Sequence, residues 1–142
     1  MKVMVIARAS AASEAGEMDL EAFAAMDKFN EELINAGILL DGTGLTPTSR
    51  GARVRFSGSN RTVTDGPFAE TTELIAGFMI WKVSSLQEAI DWVKKCPNPM
   101  IGDSDIEIRP FIEPEDLAAA IDPVVEQESR LKVRARIINW TP

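Results

Sequence analysis

The chain has no histidine and a single cysteine, Cys96, among its 142 residues. The first absence removes the commonest general base and the commonest metal ligand, so a catalytic triad built on histidine is excluded. The second excludes an internal disulfide and any metal site made of several thiolates. Basic residues are also scarce: 15 Lys and Arg stand against 22 Asp and Glu, for a formal net charge of −7. That balance argues against direct nucleic-acid binding, which needs clustered bases. Long apolar runs are missing too. No window approaches a membrane span, and the N-terminal run VMVIA is too short for a signal peptide and reads as a first strand. The expectation is a cytoplasmic protein with neither membrane nor nucleic acid as partner.

What is present is ordinary for a globular domain: 45% hydrophobic and 26% charged residues. After the first strand, Asp19 is placed to cap a helix from Leu20 to Ala36, stopped by Gly37. Leu20, Phe23, Met26, Leu33 and Ile34 form its apolar stripe, and Asp27 and Asn30 fall on the same face. ILLDGTGLTP reads as a strand whose two glycines suggest a bulge or a close backbone approach. GARVRFSG and NRTVTDG alternate as strands do, joined by a turn at SGSN. ELIAGFMIWKV is a central strand, SSLQEAIDWVKKC a second helix with Leu86, Ala89, Ile90 and Val93 inward, and DIEIRPFI a last strand. In that strand Ile106 and Ile108 share one face, Glu107 and Arg109 the other.

This order predicts an α+β fold, an antiparallel sheet with both helices on one face in the ferredoxin-like split βαβ manner. The sheet face left over predicts a homodimer. Residues 1–112 form this unit, and 113–142 are a partly helical extension. In the extension PEDLAAAI is helical, and Asp122 caps a further turn with Pro123 at its first position. RLKVRARIINW fits helix or strand, and Arg130, Lys132, Arg134 and Arg136 form a solvated face.

The blocks DGPFAETTELIAGF, DWVKKCPNP and IEIRPF together resemble the DGPF family, a branch of the YCII-related proteins, over about Lys2 to Ile112. The resemblance implies a ferredoxin-like unit that pairs into a dimeric α+β barrel. It implies enzymes without an agreed reaction, some encoded beside or fused to extracytoplasmic-function sigma factors. A histidine–aspartate pair proposed as catalytic in the wider family reduces here to Asp65 alone. Phe68, Glu70 and Glu73 match the motif without a settled role.

Each candidate has two readings. Asp65 is a turn residue whose carboxylate reaches the N–H of Phe68 or Ala69, because Pro67 has none, or it is a general base at the barrel mouth. Glu70 and Glu73 are solvated loop acids, or one of them pairs with an arginine in the cavity. Arg109, which points with Glu107 towards the barrel interior or dimer contact, makes an intersubunit ion pair or clamps a carboxylate or phosphate, and Arg8 is a weaker candidate of that type. Asp27 and Asn30 reach a strand end or line a cleft between helix and sheet, and Asp41 is open in the same way. Cys96 packs, since the dipole at a helix C-terminus disfavours a thiolate. No spacing matches a metal-binding loop, and neither metal nor cofactor is expected. Three functions follow: a small-molecule enzyme using carboxylate acid–base chemistry, with Asp65 as acid–base and Arg109, Phe68, Glu70 and Asp27 at the ligand; a ligand-binding or regulatory module associated with a sigma factor; or a dimeric scaffold.

Overall fold

The computed structural model describes residues 1–69 and 73–120. In chain order the elements are β1 (Lys2–Arg8), the single turn α1 (Ala11–Glu14), α2 (Leu20–Asn35), β2 (Leu39–Gly44), a 3-10 turn (Thr48–Arg50), β3 (Ala52–Ser57), β4 (Asn60–Asp65), β5 (Ile75–Lys82), α3 (Leu86–Lys95), β6 (Ile106–Pro110) and α4 (Pro114–Ala120). Two compact units divide the chain, Met1–Pro110 and Phe111–Pro142. In the second, the Asp116 carboxylate accepts the N–H of Glu113 at the start of α4. The expectations for Asp122, Pro123 and the alternating bases lie outside the described residues. No described helix is long and apolar enough to cross a membrane.

The first unit is a four-stranded antiparallel sheet of order β2-β5-β1-β6. β5 lies between β1 and β2, and β1 lies between β5 and β6, so each helical crossover spans one intervening strand. This is the ferredoxin-like split βαβ arrangement. Local signals set the helices as the sequence predicts. Asp19 accepts the N–H groups of Glu21 and Ala22, and Gly37 ends α2 with φ +73°. Ser85 caps α3 by accepting the N–H of Glu88. The Glu88 carboxylate in turn accepts the N–H and hydroxyl of Ser84, and these bonds lower its pKa below the ordinary value.

The core forms where one sheet face meets both helices. Val3, Val5 and Trp81 pack against Phe29 and Leu33 of α2 and Ala89 of α3, all buried. Val3 stands opposite Trp81 in the β1–β5 register, and the Phe29 ring lies tilted 6.4 Å from the indole. The helix stripe differs from expectation. Phe29 takes a core position, while Leu20, Phe23 and Ile34 are 79%, 52% and 58% exposed. Only the C-terminal half of α2 rests on the sheet.

The other sheet face carries Met4, Ile6 and Phe78, half-buried, and Ile80, buried, beside Arg8, Glu107 and Arg109. β3 and β4 form a separate two-stranded sheet joined through Gly58 at φ +57°. Cross-strand pairing puts Ala52, Val54, Phe56 and Val63 on one face of this hairpin, with Arg61 and Asp65 at its two ends, and Arg53, Arg55, Thr62 and Thr64 on the other. Its apolar face is open, with Phe56 at 71% exposed.

The hairpin is pinned at its base. Gly66 N–H donates to Gly51 O at 3.0 Å, and a Cβ on Gly66 would stand 1.6 Å from the Thr48 carbonyl oxygen. The Gly66–Pro67 peptide is cis. Thr48 then acts as a bridge. Its hydroxyl donates to the Glu14 carboxylate and accepts the N–H of Phe68 at 3.1 Å, and its own N–H also donates to Glu14. The expected contact from Asp65 to the Phe68 N–H is therefore not made, because Thr48 occupies that donor; Asp65 itself is exposed.

Thr48→Val leaves both the Glu14 carboxylate and the Phe68 amide short of a partner, and is expected to lower stability by about 1–3 kcal/mol. Gly66→Ala forces backbone apart and should cost about 3 kcal/mol. Asp65→Asn should stay within about 1 kcal/mol of wild type. Urea denaturation of the three variants checks the ranking, and an Asp65→Asn loss equal to that of Thr48→Val would contradict it.

Candidate functional site

Helix-facing side chains shrink towards one end of the sheet. Along β5 they run Trp81, Met79, Gly77; along β1, Val3, Val5, Ala7; β2 ends in Gly42 and Gly44. The sheet is thick with side chains where α2 packs and almost bare where α2 overhangs. The result is a cleft of about 840 Å³, a volume suited to a small molecule. Its roof is one face of α2, with Phe23, Met26, Asp27, Asn30 and Ile34 at three- and four-residue spacing. The 96–101 segment forms a wall through Cys96, Met100 and Ile101.

The floor is backbone held close. A Cβ on Gly77 would meet Thr43 O at 2.9 Å, and one on Gly42 would meet Met79 Cγ at 2.8 Å. These are the close approaches expected of glycine in a strand; the register shift of β2 falls just before them, between Leu39 and Asp41. Gly44, opposite Gly77, would meet nothing within 4 Å.

The cleft lining mixes apolar side chains with hydroxyls such as Ser10, Ser13 and Thr46 and carboxylates such as Glu17 and Asp27. Asn30 Oδ1 is buried and has no hydrogen-bond partner among the described residues, and Asp27, one turn earlier, is exposed. Burial pushes the Cys96 thiol up to about 11, which disfavours the reactive thiolate.

The structure distributes the predicted site residues over separate places. Asp27 lines the cleft, as do Asn30 and Asp41, whose Oδ1 accepts the N–H of Gly42. Asp65 and Phe68 lie at the hairpin base, where the Arg53 guanidinium stacks 3.9 Å from the Phe68 ring centroid. Arg109 is on the opposite sheet face, 3.3 Å from Glu107, which also binds Arg8 at 2.5 Å. Those bonds, that from Arg8 foremost, hold the Glu107 carboxyl below its ordinary value. Glu70 lies outside the described residues. Within one chain, then, Asp27, Asp65 and Arg109 do not converge. The residues missed from sequence are Met18, Met79 and Met100, which also line the cleft. The spaced glycines 42, 44 and 77 were the available signal for its floor.

Strand order, the helix-face cleft and the inserted hairpin define an α+β domain of the ferredoxin-like class. The YCII-related domain matches residues 1–112, and the chain belongs to that family. It is 37% identical over 78 residues to "Uncharacterized protein R00369" of Rhizobium meliloti (strain 1021), a match covering 55% of this chain and 63% of that protein. The matched region therefore spans less than two thirds of the relative. Among solved structures the chain is similar to 5-chloro-2-hydroxyhydroquinone dehydrochlorinase (TftG) from Burkholderia phenoliruptrix AC1100 in complex with 2,5-dihydroxybenzoquinone. That likeness has a TM-score of 0.47 at 14% identity, covers 80% of this chain and 95% of the other, and bears on neither substrate nor site.

Because the thiolate is the nucleophile, alkylation of Cys96 by iodoacetamide should be slow at neutral pH and accelerate as pH climbs towards about 11. Mass spectrometry of the folded protein measures it. A thiol that reacts fully within minutes at pH 7 would contradict the burial.

Proposed function

We propose that the protein is a small-molecule enzyme of the DGPF branch of its family, acting through carboxylate acid–base chemistry, with residues 1–112 as the acting unit. The observation that carries this is the cleft of about 840 Å³ with Asp27 on its α2 face. An exposed carboxylate at the edge of an apolar space can exchange protons with solvent and with a bound ligand. Asp27 is thus the acid–base group on this reading.

A second copy brings the remaining candidates into play. The open sheet face offers Met4, Ile6 and Phe78, and the hairpin offers Val54, Phe56 and Val63, an apolar surface that pairing would cover. The hairpin also carries Arg53, Arg55 and Arg61 against one carboxylate, on a chain of net charge −7. The apolar area left open on both surfaces is what favours another copy of the same chain as occupant. Apposed in this way, Arg109 would face the interface and Asp65 its rim, with Phe68 beside it, which is the arrangement expected of a dimeric barrel.

The cleft is tested with Nile red, a neutral apolar dye, by fluorescence titration. Gly44→Phe adds a ring where a Cβ meets no atom within 4 Å. Binding should weaken by about tenfold or more while the melting temperature stays near wild type. Unchanged binding removes the cleft from the proposal. Sedimentation of the full chain at micromolar concentration tests pairing: a dimer is expected, and Phe56→Ser should shift it towards monomer. A wild-type monomer removes the barrel.

A further inference from the structure

We propose that a second copy covers the open sheet face with its strands running alongside those of the first, so that Arg109 of each copy meets Asp41 of the partner subunit. This rests on the pairing proposed above, and adds to it the orientation of the two copies and the contact that fixes it.

The strand registers lay the open face out in rows. Arg109 on β6 stands opposite Met4 on β1, Met4 opposite Ile80 on β5, and Ile80 opposite Asp41 on β2. The next row reads Glu107, Ile6, Phe78, Thr43. Residues directly opposite each other in a sheet share a face. The first row is therefore a cation at one edge, two apolar side chains in the middle and an acid at the other edge. Both end groups have bonding capacity to spare. Arg109 is 71% exposed and makes one 3.3 Å contact with Glu107, whose other oxygen is held by Arg8. Asp41 is exposed, and its Oδ1 accepts the N–H of Gly42 while its second oxygen stands free among the described residues.

Two sheets stacked face to face about a two-fold axis have two simple settings. With the axis along the strands, opposite edges meet: β6 lies over β2 of the second copy. The row then places Arg109 over Asp41 of the partner subunit, twice per dimer. With the axis across the strands, like edges meet. Arg109 then faces its own counterpart and Asp41 its own, or a shift of one row leaves Arg109 over a Glu107 that is already bonded to two arginines. Only the first setting is complementary at both edges. In it Met4, Ile6 and Phe78, half-buried in one chain, are covered between the charged edges. Lys2 and Lys82 stand one row further, at the end of the face, where long side chains can turn outward to solvent. Asp41 also belongs to the strand that borders the cleft, so the contact ties that border to the second copy.

The test co-expresses two differently tagged forms of the full chain, Arg109→Cys and Asp41→Cys, each in a Cys96→Ala background. They are treated with a short bismaleimide able to bridge sheets about 10 Å apart. Both positions are exposed. A covalent dimer carrying both tags is expected, and none when either variant is expressed alone. In this packing the two copies of residue 109 stand three strand spacings apart across the sheet, roughly 14 Å. Bridging of Arg109→Cys to itself overturns the orientation and leaves the dimer standing. No bridging in any sample, with wild type a dimer by sedimentation, overturns the sheet-on-sheet packing; a wild-type monomer overturns the pairing as well. The ion pair is read separately. Arg109→Asp or Asp41→Arg should raise the dimer dissociation constant about fivefold or more, and the two together in one chain should return it to near the wild-type value. Single variants that pair as tightly as wild type overturn the contact.

Discussion

Burial of Trp81 is the constraint on which the first unit depends. The indole fills the space between sheet and helices only if Val3 stands opposite it and the Phe29 ring lies over it. A register slip of one residue would turn every side chain of β5 to the other face, so this contact fixes the strand pairing. Removing the ring would cost about 3–5 kcal/mol. Its Nε1 is buried without a partner among the described residues, so the residue is held there by its volume and apolar area rather than by its polar end. The same register carries Met79 and then Gly77 along the helix-facing side, and the cleft opens as the filling runs out.

The acid-bearing turn has a different logic. Its backbone is fixed by Thr48, which is in turn held by Glu14 of α1. Two segments distant in sequence thereby share one hydroxyl. The Phe68 N–H is thus held by Thr48 and not by the Asp65 carboxylate, which stands exposed on the turn. A rigid turn that leaves a carboxylate exposed suits a residue that meets a partner or ligand.

Much of the fold was legible because its signals are local. Period-two alternation separates Ile106 and Ile108 from Glu107 and Arg109, and Asp19, Gly37 and Ser85 mark helix ends. The polar pair Asp27 and Asn30 on an apolar stripe marked the cleft face, since such residues sit there only where something polar is to be met. Periodicity cannot tell where a helix leaves its sheet, so Leu20 and Phe23 looked like core and Phe29 did not. The Thr48 bridge joins residues 34 and 20 positions apart, and nothing local announces it. The second cleft wall, at 96–101, likewise depends on how the chain returns after α3.

The glycine floor divides the cleft into two kinds of surface. Gly42 and Gly77 leave no room for a Cβ beside Met79 and Thr43, so what a ligand meets below is main chain, the same whatever substitutions accumulate. Above, the α2 face presents Phe23, Asp27, Asn30 and Ile34, which lie outside the Trp81 core, and Met26, which packs against it. Such a cleft behaves as a fixed bed under an exchangeable cover. Selectivity can drift by single replacements along one helix face, at no cost to the sheet that supports them.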